Sequence, residues 1–130
     1  MKALLLDTSV IIDAERGRST LDALLDDHDD LAIAAVTVAE LMTGVHLATP
    51  HRRPARIGLI EALLEAIPVV PYDRRVAFEH GELLAWTTRH GSRRGAHDLI
   101  IAATATATGR ALVTAYPRGF HGLPGVELLA

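Results

Sequence analysis

Behind Met1 and Lys2 the chain opens with four apolar residues, Ala3–Leu6, that stop at a carboxylate, Asp7. An unbroken apolar run of this length is the pattern of a strand covered on both faces in a parallel sheet. Asp7, Thr8 and Ser9 supply helix N-cap chemistry, and residues 10–14 begin a helix that breaks around Gly17. Residues 20–25 resume as a helix, the acidic stretch 26–30 is a turn, and residues 31–35 read as a second strand. Val38, Leu41, Met42 and Val45 then follow the i, i+3, i+4, i+7 spacing of an amphipathic helix over 37–46. Residues 50–54 form a basic loop. Ile57, Ile60, Leu64 and Ile67 mark a further helix ended by Pro68, and Val69-Val70 is a short strand toward a sheet edge. Asp73 caps a helix to about His90, and residues 91–95 form a loop. Residues 98–108, apolar nearly all round, are a buried helix stopped by Gly109. Residues 111–114 are a strand, and 126–129 suit one more. Strands alternating with helices at this rhythm predict an α/β fold, a mostly parallel sheet with helices on both faces.

The 130 residues are enough for one domain that buries a sizeable core, and 49% apolar with 22% charged residues fits such a core. There is no Cys, which excludes thiolate nucleophiles, thiolate zinc sites and disulfide scaffolds. The single Lys is Lys2, so lysine-based catalysis is excluded as well, and neither Asn nor Gln occurs. Chemistry is left to carboxylates, seven His, hydroxyls and twelve Arg. The seven His show no paired metal spacing. A net charge of −3 gives no global basic field, so any nucleic-acid contact needs a local patch. Asp7 cuts the first apolar run far short of a signal peptide or membrane span, and the expected location is the cytoplasm.

In an open parallel sheet, ligands bind beyond the carboxyl ends of the strands. Asp7 follows the first strand, Glu40 lies early in the helix after the second, and Asp98 lies in the first turn of the buried helix. Thr114 ends the strand that this helix leads into. Each acid has a plainer role open to it: an N-cap for Asp7, a helix-dipole partner for Asp98, a solvated face for Glu40. Three acids at one sheet end repel one another unless a hard cation offsets them. Mg²⁺ prefers oxygen ligands and keeps several waters, so two or three carboxylates suit it, and it can activate water at a phosphodiester.

Three segments carry a family likeness: Asp7-Thr8-Ser9-Val10-Ile11-Ile12, Val38-Ala39-Glu40-Leu41-Met42-Thr43-Gly44 and His97-Asp98-Leu99-Ile100-Ile101-Ala102-Ala103-Thr104. In order and spacing they resemble the motifs of PIN domains, above all the VapC toxins of VapBC toxin–antitoxin pairs. The likeness runs from the first strand to Val126. It implies a PIN-like single domain over 1–130 and a Mg²⁺- or Mn²⁺-dependent endoribonuclease that cuts cellular RNA to 5′-phosphate and 3′-hydroxyl ends. It also implies a homodimer silenced by a VapB-type antitoxin. Asp7, Glu40 and Asp98 are then the catalytic metal site, and Thr114, which matches the family's Ser/Thr after the fourth strand, and Ser9 beside Asp7 are expected to bind substrate. One departure stands out. Tyr116 and Gly119 hold places where the family commonly has further acids, which motivates an alternative: a catalytically weak or inactive PIN-fold binding module.

Arg89, His90, Arg93, Arg94 and His97 crowd the segment before Asp98. Arg grips phosphate oxygens bidentately, so Arg93 and Arg94 are the candidate substrate-binding pair, against the plainer reading of a solvated helix end. Arg52, Arg53 and Arg56 are a second basic cluster, assigned to solvated loop or antitoxin contact. Trp86 is expected in the core. Other α/β enzymes fit less well. A haloacid-dehalogenase-like phosphatase needs an Asp where Ser9 stands, and a receiver domain needs a late lysine.

Overall fold

The computed structural model describes residues 1–17 and 28–129. The helix expected at 20–25 and the acids Asp26 and Asp27 lie outside the described residues. Four strands, β1 (Ala3–Leu6), β2 (Asp30–Ala34), β3 (Val69–Val70) and β4 (Ala111–Val113), form one sheet in the order β3-β2-β1-β4, every pair parallel. The described helices are α1 (Thr8–Glu15), α2 (Ala35–Leu47), α3 (Arg53–Ala66), α4 (Arg74–His90) and α5 (Ala96–Ala107). None of these is long and apolar enough to cross a membrane.

β1 is central, and Leu4, Leu5 and Leu6 have no exposed surface. Successive side chains of a strand point to opposite faces. Leu5, with Ala32, Ala34 and Leu112, packs under Val76 and Leu83 of α4 and Leu99 and Ile101 of α5. Leu4 and Leu6, with Ile33 and Val113, pack on the other face against α1, α2 and α3 through residues such as Ile11, Val45 and Ile60. The expected doubly covered parallel sheet is therefore what forms, and covering both faces is why its strands read as continuous apolar runs. Truncating so enclosed a residue, Leu5→Ala for example, costs about 2–5 kcal/mol.

The chain steps outward from β1 through β2 to β3, then returns to place β4 on the far side of β1. The crevice between the carboxyl ends of β1 and β4 is thus the switch point where such sheets bind ligands.

Several boundaries differ from those the sequence predicts. β2 ends at Ala34 and α2 starts at Ala35, with no side-chain cap between them, so the apolar run passes from strand to helix with no polar signal. The basic loop shrinks because Arg53 and Pro54 already begin α3, where a proline's missing N–H costs nothing. Arg53 donates to the carbonyls of Ala48 and His46, and Arg56 to that of Gly44. These two arginines complement the carbonyl end of α2. The strand expected at 126–129 is a single parallel bridge from Leu128 to Leu112, since the turn from Leu123 to Val126 takes up the approach. α4 behaves as expected: the Asp73 carboxylate accepts from the Val76 N–H, and Gly91 ends the helix at φ 58°.

Candidate active site

Asp7 extends the sheet by one step. Its N–H donates to the Val113 carbonyl at 2.8 Å, which sets it beside Thr114 at the switch point. It has the extended backbone of an N-cap, yet its carboxylate makes no capping bond to α1. Instead Oδ2 accepts from Ser9 Oγ at 2.7 Å and Thr114 Oγ1 at 2.8 Å. The two hydroxyls are fixed in turn: Ser9 Oγ accepts from the Ala115 N–H and Thr114 Oγ1 from the Tyr116 N–H. Each hydroxyl has one proton, and both are aimed at Oδ2, so their own 3.4 Å approach carries no hydrogen bond. Asp7 is buried, with 6% of its surface exposed, and its Oδ1 accepts no hydrogen bond among the described residues.

Glu40 does not point from a solvated helix face. Its Oε1 accepts from Thr8 Oγ1 at 2.8 Å, and Oε2 lies 3.6 Å from Nδ1 of the exposed His97. Thr8 Oγ1 also donates toward Oγ1 of the fully buried Thr37, 3.1 Å away, so its one proton is shared between Thr37 and Glu40. Thr8 and Thr37 are site residues that the sequence reading did not single out. The signal was present, since Thr37 is three positions before Glu40 and so shares its helix face.

Asp98 is the third residue of α5, half-buried, and its carboxylate accepts no hydrogen bond among the described residues. Burial pushes its pKa above the ordinary carboxylate range, the charges of Asp7 and Glu40 push it further, and His97 opposes them. The three acids therefore share one electrostatic environment. With Ser9, Thr8 and Tyr116 they line a cleft of about 360 Å³.

The donor set is oxygen-rich and anionic, which suits a hard divalent cation. Among the described residues no three Asp, Glu or His side chains are grouped to hold a metal directly. Glu40 Oε1 already accepts from Thr8, and Oε2 lies 3.6 Å from His97, beyond hydrogen-bond distance. The arrangement fits an ion held by Asp7 and Asp98, with waters completing the shell and Glu40 reaching it through one, as Mg²⁺ tolerates.

The arginines divide. Arg93 is exposed and makes no intramolecular hydrogen bond among the described residues. Arg94 is held within the fold: its guanidinium donates to Ser92 Oγ at 3.1 Å and to the carbonyls of Gly119 at 3.1 Å and His121 at 2.6 Å. Those donors are committed to the 3₁₀ turn Pro117–Gly119 and the residues after it. Trp86 is part-buried against the core, as expected, with its ring stacked on His90 at 4.4 Å.

The PIN domain family profile matches residues 4–122. Ribonuclease VapC5 of Mycobacterium tuberculosis is 34% identical over 110 residues, 84% of this chain and 79% of that one. Ribonuclease VapC of Rickettsia bellii is 27% identical over 127 residues, 97% of this chain and 94% of that one. The crystal structure of VapBC-5, a member of the VapBC family of toxin-antitoxin systems from Mycobacterium tuberculosis, superimposes with a TM-score of 0.79 at 30% identity. It covers 99% of this chain and 98% of that chain. Sequence profile, relatives and fold agree: the chain belongs to the PIN-domain family, in its VapC branch.

Proposed function

We propose that this VapC-type PIN ribonuclease is a Mg²⁺-dependent endoribonuclease, with Mn²⁺ as a substitute ion, and the toxin of a type II toxin–antitoxin pair. It acts in the cytoplasm on cellular RNA as a homodimer and is silenced by a VapB-type antitoxin. The observation that carries the metal-dependent part is Asp98. A half-buried carboxylate with no hydrogen-bond donor among the described residues, facing two further acids, is costly unless a cation joins it.

In this reading Asp7 and Asp98 hold the ion and Glu40 bears on it through water. Bound Mg²⁺ supplies an activated water and neutralises charge gathering on the phosphodiester. The remaining work belongs to the chain. Ser9 and Thr114 fix Asp7 Oδ2 and leave Oδ1 for the cleft. Thr8, held against Thr37, keeps Glu40 inward. Arg93 offers an unengaged guanidinium to a flanking phosphate.

Expression of the chain alone, and with the small protein encoded beside it, tests the proposal. The expected result is growth arrest with defined RNA cuts bearing 5′-phosphates, relieved by the partner. Cation binding without toxicity or cuts would replace it with the alternative, a binding module without catalysis.

A further inference from the structure

Among the described residues, two aromatic side chains keep more than half of their surface exposed, Phe78 and Tyr116. Phe78 lies on α4 in a separate groove, beside Trp86 and Arg89. Tyr116, 61% exposed, lines the cleft that holds Asp7, Glu40 and Asp98. Its backbone is fixed on both sides. The N–H donates to Thr114 Oγ1 at 3.0 Å, and that hydroxyl donates to Asp7 Oδ2. The carbonyl accepts from the Gly119 N–H at 3.3 Å, and Pro117 confines the residue before it to extended backbone, here φ −130° and ψ 74°. The side chain is not fixed in the same way. The Tyr72 hydroxyl bonds to His80 and the Trp86 ring stacks on His90, whereas Tyr116 has neither a hydroxyl partner nor a ring partner among the described residues.

The chain therefore carries an unoccupied aromatic face to the rim of an anionic cleft, at a place where the family commonly has an acid. A further acid adds charge beside Asp7, Glu40 and Asp98. A phenol ring adds none and offers a flat apolar face, which an uncharged base can approach without repulsion. Arg118, two residues on, is exposed and makes no hydrogen bond or ion pair among the described residues, so a cation for a neighbouring phosphate stands on the same turn. Aromatic faces beside basic side chains are how single strands of nucleic acid are held.

We propose that Tyr116 is a substrate-binding residue whose ring stacks on an unpaired base next to the phosphate that enters the cleft. This rests on the reading of the cleft as the place where RNA is cut. A base inside a duplex has both faces covered, so the platform serves unpaired nucleotides. Every base has a π-face, so the ring adds affinity and places the phosphate more than it reads sequence.

The test is fluorescence anisotropy in the Asp98→Asn background, with two labelled probes of equal length: a single-stranded oligoadenylate and a ribose–phosphate chain of stable abasic sugars. With Tyr116 present, the protein is expected to prefer the base-bearing chain. Tyr116→Ala should reduce that preference by about tenfold, the scale of one base–aromatic contact, and leave the affinity for the abasic chain and the melting temperature as they were. Tyr116→Phe and Tyr116→Trp keep a ring and should keep the preference. An unchanged preference in Tyr116→Ala overturns the proposal while the RNA-site reading stands. A loss in Tyr116→Phe equal to that in Tyr116→Ala also overturns it, by giving the work to the hydroxyl. If the protein with Tyr116 binds neither chain, the reading of the cleft as an RNA site fails, and the stacking role with it.

Discussion

Thr114 donates its hydroxyl proton to Asp7 Oδ2 across 2.8 Å, although the two residues are 107 positions apart. The bond joins the ends of β4 and β1, so it fixes the acid at the sheet's switch point by the sheet's own geometry. It is charge-assisted and lies beside a buried carboxylate, where a lost donor is not readily replaced by water. Thr114→Val keeps the shape and removes the donor. The expected loss is about 1.5–3 kcal/mol of unfolding free energy in metal-free protein, measured by urea denaturation. Ser9→Ala should cost a similar amount, and the double variant more than the sum, because Asp7 Oδ2 then has neither donor.

Asp98→Asn tests the centre of the site. The substitution is nearly isosteric and removes one charge from a carboxylate that accepts no hydrogen bond among the described residues. A folded protein is expected, with RNA cleavage reduced by at least about a hundredfold and Mg²⁺ binding weakened. Circular dichroism checks the fold, and single-turnover cleavage reads the activity. Unchanged Mg²⁺-dependent cleavage would remove Asp98 from the proposed machinery.

Much of this site is legible in the sequence because its acids stand at element ends, where local signals are strong. Asp7 stops an apolar strand, and Asp98 opens an apolar helix. The element ends themselves are less legible: α2 and α5 both start two residues earlier than expected. No capping side chain marks either start, since Ala34 and Gly95 stand at the N-caps. Glu40 is ambiguous from periodicity, and only the Thr8 hydroxyl, brought from another element, settles its direction. The turn contacts of Arg94 are hidden for the same reason. Its composition-level signal, a basic cluster beside an acid, is that of a phosphate site, while its carbonyl partners lie 25 and 27 positions away. Contacts of that range depend on the assembled sheet and leave no periodic trace.

The raised pKa of Asp98 gives a pH prediction. Burial is the main cause, followed by Asp7 and Glu40. The folded, metal-free protein holds the Asp98 proton more tightly than the unfolded chain does. That contribution to stability is full below the ordinary carboxylate pKa and is lost as pH rises through the raised folded value. Asp98→Asn carries no such charge. In a chelating buffer it should be more stable than the wild type near pH 7, with the difference vanishing below the ordinary carboxylate pKa. Saturating Mg²⁺ should reverse the ranking, because it stabilises the protein that binds it. Melting curves across this range, with and without Mg²⁺, check both halves. A wild type more stable than Asp98→Asn in metal-free neutral buffer would contradict the electrostatic account.

Arg93 and Arg94 are neighbours with different engagements, so one experiment separates phosphate binding from turn support. Every proton-bearing nitrogen of Arg94 donates to Ser92, Gly119 or His121, whereas Arg93 is exposed and unengaged among the described residues. Each phosphate neutralised on single-stranded RNA contributes about 0.7 to the slope of log affinity against log salt. Arg93→Ala should lower that slope by roughly this amount and weaken binding across sequences alike. Arg94→Ala should leave the slope where it is and lower the melting temperature, because it unties the turn at Pro117–Gly119. Binding measured by fluorescence anisotropy over a salt series, in the Asp98→Asn background so that the RNA stays intact, distinguishes the two. A slope that falls with Arg94→Ala and holds with Arg93→Ala would exchange their roles.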